Sequence, residues 1–154
     1  MRSSWILICL LFVSCGKKSA LFTEIDANFK SLDDVFIAEF KNQPKQVEKN
    51  SDLALDAKEA MTGRFGTLLS LDVWEFGDEG QSKSAYETLV GVEKQNTPRE
   101  YDQTRAGEYR YTFVRGTGIA GEVFTVKKIL FRILADNKDT IREYLIASKL
   151  GRIR

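Results

Sequence analysis

The stretch Arg115–Ala135, RGTGIAGEVFTVKKILFRILA, decides which fold the chain can adopt. Its three glycines spell G-x-G-x-x-G, a pattern that cradles a dinucleotide pyrophosphate when a strand precedes it and a helix follows it. The residues after these glycines are rich in valine, isoleucine and threonine, which favour a strand over a helix. Only 33 residues remain after Gly121, too few for a dinucleotide-binding domain. We therefore predict a hairpin in which strand Tyr109–Val114 turns through a loop over Arg115–Gly121 and returns as one long strand over Glu122–Ala135.

Upstream of this hairpin the sequence predicts a strand followed by a helix. Leucine and valine alternate with serine and aspartate over 69–73, which is the period of a strand. Gly77–Gly80 forms an acidic turn, and acidic residues suit the start of a helix. From Ser82 onward, apolar residues recur at helical spacing at Ala85, Tyr86, Leu89 and Val90. The polar, aperiodic residues Gln95–Gly107 are predicted to form a loop.

Three further segments have helical patterns. Leu21–Phe40 places apolar residues at steps of three and four, which predicts one or two helices. Ser51–Met61 predicts another helix that stops at Gly63, and Asp139 is predicted to cap the last helix. The combined prediction is an α+β fold: a small antiparallel-leaning sheet in the order strand-helix-strand-strand-helix, with the helices packed on one face and one or two N-terminal helices before it.

The chain begins with a segment typical of an export signal. Arg2 precedes a solid apolar run over Trp5–Val13, and these nine residues are too few to span a bilayer, which needs about 20. The signal ends Phe12-Val13-Ser14-Cys15, which resembles the lipobox of bacterial lipoproteins, an apolar residue and two small residues before a cysteine. The alternative is an ordinary secretory signal that is cut near Ala20.

The resemblance to lipoproteins implies how the chain is processed and held. A signal peptidase would cut between Ser14 and Cys15 and remove residues 1–14. The Cys15 sulfur would carry a diacylglycerol and its amine an acyl chain such as palmitate, with residues 15–20 as the lipidated tether and residues 21–154 as a single globular domain. Gly16 stands where an aspartate favours the inner membrane in enteric bacteria, so the outer membrane is favoured if the host has one. Cys9 leaves with the signal, so the exported chain has one cysteine and cannot form an internal disulfide.

Composition narrows the possible chemistry. Once Arg2 is removed, 22 basic and 22 acidic residues balance, so the exported chain has no net field to attract nucleic acid. The chain contains no histidine, which is the usual general base and the commonest metal ligand. With Cys15 acylated there is no thiolate either. A carboxylate-based site stays possible, but 22 acidic residues make any chosen pair uninformative.

We therefore predict a membrane-anchored, non-enzymatic binding or scaffold protein of the cell envelope, with no metal, cofactor, dinucleotide or nucleic acid. The alternative is a small-ligand carrier or a carboxylate-based hydrolase tethered by the same lipid. An exposed aromatic patch would favour a protein partner, whereas an enclosed cavity with converging charges would favour a ligand. The candidate contact residues are Trp74, Tyr109, Tyr111 and Arg115, although an aromatic stripe at strand spacing more often covers a helix.

Overall fold

An antiparallel sheet dominates the computed structural model, which describes residues 35–49, 55–96, 109–148 and 150, together with the backbone of 101–102. The strands lie in the order β1-β2-β3-β4-β8-β7-β6-β5. Seven strands, β2 to β8, form the continuous sheet, and the two-residue β1 pairs onto β2 at its edge. The elements are β1 (Glu39–Phe40), β2 (Gln43–Lys49), β3 (Glu59–Phe65), β4 (Leu69–Glu75), α1 (Glu79–Asn96), β5 (Tyr101–Asp102), β6 (Arg110–Val114), β7 (Ala120–Val126), β8 (Ile129–Ala135) and α2 (Lys138–Ala147).

The sheet consists of two meanders that meet in its middle. Strands β1 to β4 form the first meander and β5 to β8 the second, and the last strand of each pairs with the other over seven residue pairs, from Leu69 with Ala135 to Glu75 with Ile129. Helix α1 joins β4 in the middle of the sheet to β5 at its edge, so it crosses one face of the second meander. Helix α2 follows β8 and packs on the opposite face.

Tight turns join the strands of each meander. The β1–β2 turn has Lys41 and Asn42 at φ angles of 49° and 61°, the left-handed pair that a type I′ hairpin requires. The β7–β8 turn consists of Lys127 and Lys128, with Lys127 at a φ of 52°. Such two-residue turns match the right-handed twist of the strands that they connect.

We call the side of the sheet that carries helix α2 the α2 face, and it is almost entirely apolar. The helix contributes Ile141, Tyr144 and Leu145, and the segment Val35–Phe40, which we call the strap, adds Val35, Phe36 and Phe40. The sheet contributes Phe65, Leu69, Leu71, Val73, Phe124, Val126, Phe131 and Ile133. The rings of Phe124 and Phe131 stack at 4.9 Å, which fills the centre of this layer.

The opposite side, the α1 face, mixes apolar and charged residues. Helix α1 buries Ala85, Tyr86, Leu89 and Val90 against it, as the helical spacing of the sequence predicts. The sheet contributes Trp74, Tyr111, Phe113, Val123 and Leu130, together with Thr62, Asp72 and Arg132. The start of α1 is fixed by its sequence, since Asp78 accepts a hydrogen bond from the Gln81 N–H at 2.9 Å and so caps the helix.

The predicted fold class is wrong in its balance of helix and sheet. The described residues form mostly antiparallel sheet with two helices, one on each face, and not an α+β layer with all helices on one face. The prediction of one long strand over Glu122–Ala135 is wrong. The Lys127-Lys128 turn divides that apolar run into a hairpin of two strands, β7 and β8. A strand of 14 residues would also exceed the usual length of 3 to 10.

The two predicted helices before β4 are also not found where the structure describes their residues. Of the predicted helix Leu21–Phe40, residues 21–34 lie outside the described residues, and Glu39–Phe40 is strand β1. Of the predicted helix Ser51–Met61, residues 51–54 lie outside, and Glu59 onward is strand β3. Gly63, predicted as a helix stop, lies within β3 because its missing side chain makes room for the Phe36 ring.

The predicted loop Gln95–Gly107 is wrong in part, since α1 runs to Asn96 and Tyr101–Asp102 is strand β5. Other local predictions are confirmed. Strand β4, helix α1 and strand β6 lie where the sequence places them, and a strand, β7, follows the glycine loop. A last helix is also present, but Asn137 caps it: the Asn137 side chain accepts a hydrogen bond from the Thr140 N–H at 2.8 Å. Asp139 lies inside its first turn.

Candidate functional site

A row of polar and charged side chains crosses the middle of the α1 face. The strand register places Thr62, Asp72 and Arg132 side by side on β3, β4 and β8. The Thr62 hydroxyl donates to Asp72 Oδ1 at 2.6 Å. The Arg132 guanidinium donates to Asp72 Oδ2 through Nε at 2.9 Å and Nη2 at 2.7 Å. Asp72 is 4% exposed, so these bonds satisfy a carboxylate that is out of reach of bulk water.

Helix α1, which covers this row, adds Glu93 to it. The Glu93 carboxylate is fully buried and accepts from Arg132 Nη1 at 3.2 Å. It also accepts from Arg115, through Nε at 3.0 Å and Nη2 at 2.7 Å. Arg115 follows β6, so one chain of hydrogen bonds runs from β3 through β4 and β8 to α1 and on to the glycine loop. We call Thr62, Asp72, Arg132, Glu93 and Arg115 the charged row.

The position of Glu93 follows from the period of helix α1. Glu93 lies three and four residues after Val90 and Leu89, so it continues the buried stripe of the helix. Its side chain therefore points at the sheet, where a lone carboxylate would be strongly unfavourable. The two arginines satisfy it, and in doing so they fix the end of α1 over β8 and β6.

The charged row pairs its own charges with each other. Two carboxylates and two guanidiniums alternate along it, each joined to the next by charge-assisted hydrogen bonds. Arginine does not lose its proton in proteins, so it cannot serve as a general base beside them. The arrangement is suited to holding α1 in one position on the sheet.

The structure describes the environment of all four predicted contact residues. Trp74 is 0% exposed and Tyr111 is 3% exposed, both beneath α1 in the apolar part of its face. Tyr109 is half-buried and meets the Tyr86 ring edge-on at 5.5 Å. Arg115 has a side chain that is 26% exposed while it binds Glu93. Of the four candidates, Tyr109 and Arg115 are thus the two with partly exposed side chains. Their contact with a partner stays a prediction.

The aromatic stripe of β6 covers a helix and is lined by cations. Tyr111 and Phe113 stack on each other at 5.6 Å. Lys83 lies 5.0 Å from the ring of Tyr109, Lys94 lies 5.7 Å from Tyr111, and Arg115 lies 5.8 Å from Phe113. The stripe therefore has its contacts within the domain.

Two of the three glycines of the fingerprint have structural uses in the hairpin. Gly118 has a φ of +87°, which a residue with a side chain rarely adopts, and its N–H donates to the Arg115 carbonyl at 2.8 Å across the loop. Gly121 lies directly under Phe113, since a Cβ atom at this position would be 2.1 Å from the Phe113 ring. The glycine spacing thus serves a turn and a packed ring.

A second charged pair lies on the α2 face. Glu122 is 7% exposed, and its Oε1 is 3.2 Å from Nε of Arg110, whose guanidinium lies over the Phe124 ring at 4.9 Å. Burial raises the pKa of the Glu122 carboxyl, and the positive charge of Arg110 partly offsets this. Of the acidic groups that the structure describes, this one has its ionised form disfavoured by its surroundings.

Sequence reasoning missed Asp72, Glu93 and Arg132. Glu93 and Arg132 carried a signal, because each is a charged residue at a place that the pattern directs inward, whereas Asp72 stands at a polar position of the alternation over 69–73. Arg132 interrupts an apolar run, and Glu93 continues the buried stripe of α1. What the sequence could not supply was their pairing, which joins residues 39 and 60 positions apart.

Two further findings bear on the kind of site. Across the described parts of the chain, no three carboxylate or cysteine side chains cluster closely enough to hold a metal ion. Neither α1 nor α2 is both long and apolar enough to cross a bilayer. Ser14, Cys15 and the predicted tether lie outside the described residues.

Comparisons with protein-family models, with curated proteins and with solved structures find no match for this chain. Its function must therefore be inferred from its own residues.

Proposed function

We propose that this protein is an exported bacterial lipoprotein, held on a membrane by acyl chains on Cys15, and that its domain acts by binding a partner in the cell envelope. The observation that carries the proposal is the N-terminal sequence, in which a short export signal ends in Phe12-Val13-Ser14-Cys15. Two or three acyl chains would make the anchoring stable, since a single chain gives only marginal binding.

The distance along the chain from Cys15 to the α2 face supports a tethered domain. Val35 and Phe36 are buried in the α2 face, twenty and twenty-one positions after Cys15. At about 3.3–3.6 Å per residue, the chain between Cys15 and Val35 could reach at most about 70 Å. The domain would then work close to the membrane that holds its lipid.

The chemistry of the charged row supports binding over catalysis. An enzyme that used carboxylates would need one carboxylate free to take or give a proton. Asp72 and Glu93, both buried beneath α1, are each bound by arginine side chains. A hydrolase built on this pair would first have to break the bonds that position α1.

The anchor is tested on the full-length protein, expressed in a bacterium and extracted from membranes in mild detergent. Native mass spectrometry should find a chain that begins at Cys15 and carries lipid mass. The matched variant Cys15→Ser should lose the lipid mass and leave the membrane fraction. A chain that begins near Ala20 without added mass would contradict the anchor.

Cells that express the same full-length protein test whether its domain binds a protein or a small molecule. Crosslinking in intact cells followed by membrane extraction should capture an envelope protein in amounts that fall when Tyr109 or Arg115 is replaced. Small-molecule mass that survives extraction, with no crosslinked protein, would instead support the small-ligand carrier.

A further inference from the structure

The strap, Val35–Phe40, is attached to the sheet by a socket for one ring. Phe36 is 5% exposed, and its ring lies against Gly63 of β3 so closely that a Cβ on Gly63 would be 2.3 Å from two ring carbons. Gly63 is thus a notch in a strand that otherwise carries side chains. Only the absence of a side chain at this position lets the ring of Phe36 reach the sheet.

A second ring holds the other end of the strap. Phe40 is 6% exposed and meets Tyr144 of α2 edge-on at 5.2 Å and Phe65 of β3 at 6.1 Å. The strap therefore rests on β3 and α2 through side chains. Helix α2 also contacts the sheet directly, since Tyr144 packs against Phe65 at 5.3 Å.

Few backbone hydrogen bonds hold the strap. Strand β1 pairs with β2 at two positions, Glu39 with Pro44 and Phe40 with Gln43, and the Lys45 N–H donates to the Ala38 carbonyl at 3.0 Å. In contrast, β4 and β8 pair at seven positions in the middle of the sheet. Regions whose backbone makes few hydrogen bonds open at lower free energy than the core. Burial of Phe36 and Phe40 opposes this opening, so the two rings are the main attachment of the strap.

From this we infer that the strap is a detachable latch, which opens as a unit while the sheet stays folded. The meaning of the latch in the cell rests on the proposed anchor at Cys15, because the strap lies on the side of β2 that leads along the chain to Cys15. Opening would release residues 35–42 from the sheet, and these eight residues could then extend by up to about 28 Å from Gln43, at about 3.3–3.6 Å per residue. It would also break the hydrogen bond from the Lys45 N–H to the Ala38 carbonyl.

Hydrogen exchange on the full-length protein in mild detergent tests the latch, with intact mass on the same sample reporting acylation of Cys15. A peptide spanning residues 36–45 reports the strap, since it covers most of the strap, contains the Lys45 N–H that donates to the Ala38 carbonyl and ends at the third residue of β2. A peptide spanning β8 reports the core. In the wild-type protein we expect the strap peptide to exchange at least about 10-fold faster than the β8 peptide. Equal rates in the two peptides would overturn the proposal, whether or not the lipid is present.

Variants at the socket separate local opening from general loss of stability. Phe36→Ala should speed exchange of the strap peptide a further 100-fold or so and leave the β8 peptide within about 3-fold of wild type. Gly63→Ala should act in the same direction, because the new Cβ displaces the ring. In the Phe36→Ala background, Gly63→Ala should add little, since the ring that it displaces is gone. The matched control is Phe131→Ala, which should speed both peptides together; a Phe36→Ala protein that behaved like this control would show that the strap is part of the core.

Discussion

The two faces of the sheet each pack against a helix, but through different kinds of interaction. Each face is covered by one helix, and each helix buries a short stripe of apolar residues. On the α2 face the remaining contacts are rings and aliphatic chains, with Phe124 and Phe131 stacked at the centre. On the α1 face a charged row takes that central place, with Glu93 fully buried between two arginines.

This difference means that the contacts that stabilise the domain are not the ones that fix where helix α1 lies. Apolar contacts stabilise in proportion to the area that they bury, but they are not directional. A buried ion pair adds little net stability, because its Coulomb energy is offset by the cost of removing the charges from water. Its hydrogen bonds are directional, however, so the charged row fixes where α1 lies while the aromatic residues around it supply the free energy.

The largest expected effect compares neighbours on β8 whose side chains point to opposite faces. Phe131→Ala on the α2 face should cost about 3–5 kcal/mol through lost burial and a cavity. Arg132→Met on the α1 face should cost a similar 3–5 kcal/mol, although methionine fills much of the space, because Asp72 and Glu93 stay buried while each loses the guanidinium of Arg132. Chemical denaturation of the two variants measures both losses.

A variant that lacks three charges of the row then distinguishes the two causes. Replacing Asp72 and Glu93 with leucine together with Arg132→Met should recover most of the stability that Arg132→Met alone loses, because both buried carboxylates are gone and the guanidinium that remains, on Arg115, belongs to a side chain 26% exposed to water. A triple variant less stable than Arg132→Met would show that the row stabilises the fold directly, and the comparison between the faces would then fail.

The next effect tests how tightly the α1 face is packed. Gly121→Ala places a Cβ 2.1 Å from the Phe113 ring, so the ring must move in a layer that is already filled. We expect a loss of about 1–3 kcal/mol, the usual cost of overpacking a core. In a Phe113→Leu background the same change should cost less than half as much. An unchanged cost would mean that Gly121 matters for its backbone and not for the ring above it.

Elements with their own periodicity could be predicted from sequence. Strand β4 alternates, β6 alternates, and the stripe of α1 recurs at helical spacing, so local pattern and final structure agree. Strands β2 and β3, QPKQVEK and EAMTGRF, lack such alternation. Strand β3 forms because β4 offers a partner, and β2 pairs in turn with β3. The ring that packs on Gly63 belongs to Phe36, 27 positions earlier, so no local pattern could show this contact.

The charged row shows the same limit for the site. Glu93 and Arg132 could be recognised as charged residues at inward positions, but which charge meets which depends on register across the sheet. That register in turn depends on the Lys127-Lys128 turn, which looks in the sequence like a polar interruption of one long strand. A one-residue shift would move Arg132 to the other face.

A smaller effect tests the pair of Glu122 and Arg110, which are charged residues on the largely apolar α2 face. Burial raises the pKa of the Glu122 carboxyl, so the folded protein binds this proton more tightly than the unfolded chain does. Below the ordinary glutamate pKa both states are protonated, and above the raised value ionisation costs stability. Glu122→Gln should therefore be more stable than wild type at neutral pH, with an advantage that disappears on acidification. Denaturation curves across this pH range measure the difference; a variant less stable at neutral pH would mean that the pairing with Arg110 outweighs burial.

The smallest effect concerns an ion pair that, unlike the charged row, is exposed to water. Lys41 in the β1–β2 turn and Glu143 of α2 approach to 2.5 Å, with side chains 40% and 53% exposed. Glu143→Gln should cost less than about 1 kcal/mol, and less still at high salt, since solvent and ions screen exposed pairs. Unfolding in urea at low and high salt measures this. A salt-independent loss that approached the Arg132→Met value would mean that removing one partner is costly even in water, so that burial would no longer explain why the charged row is sensitive.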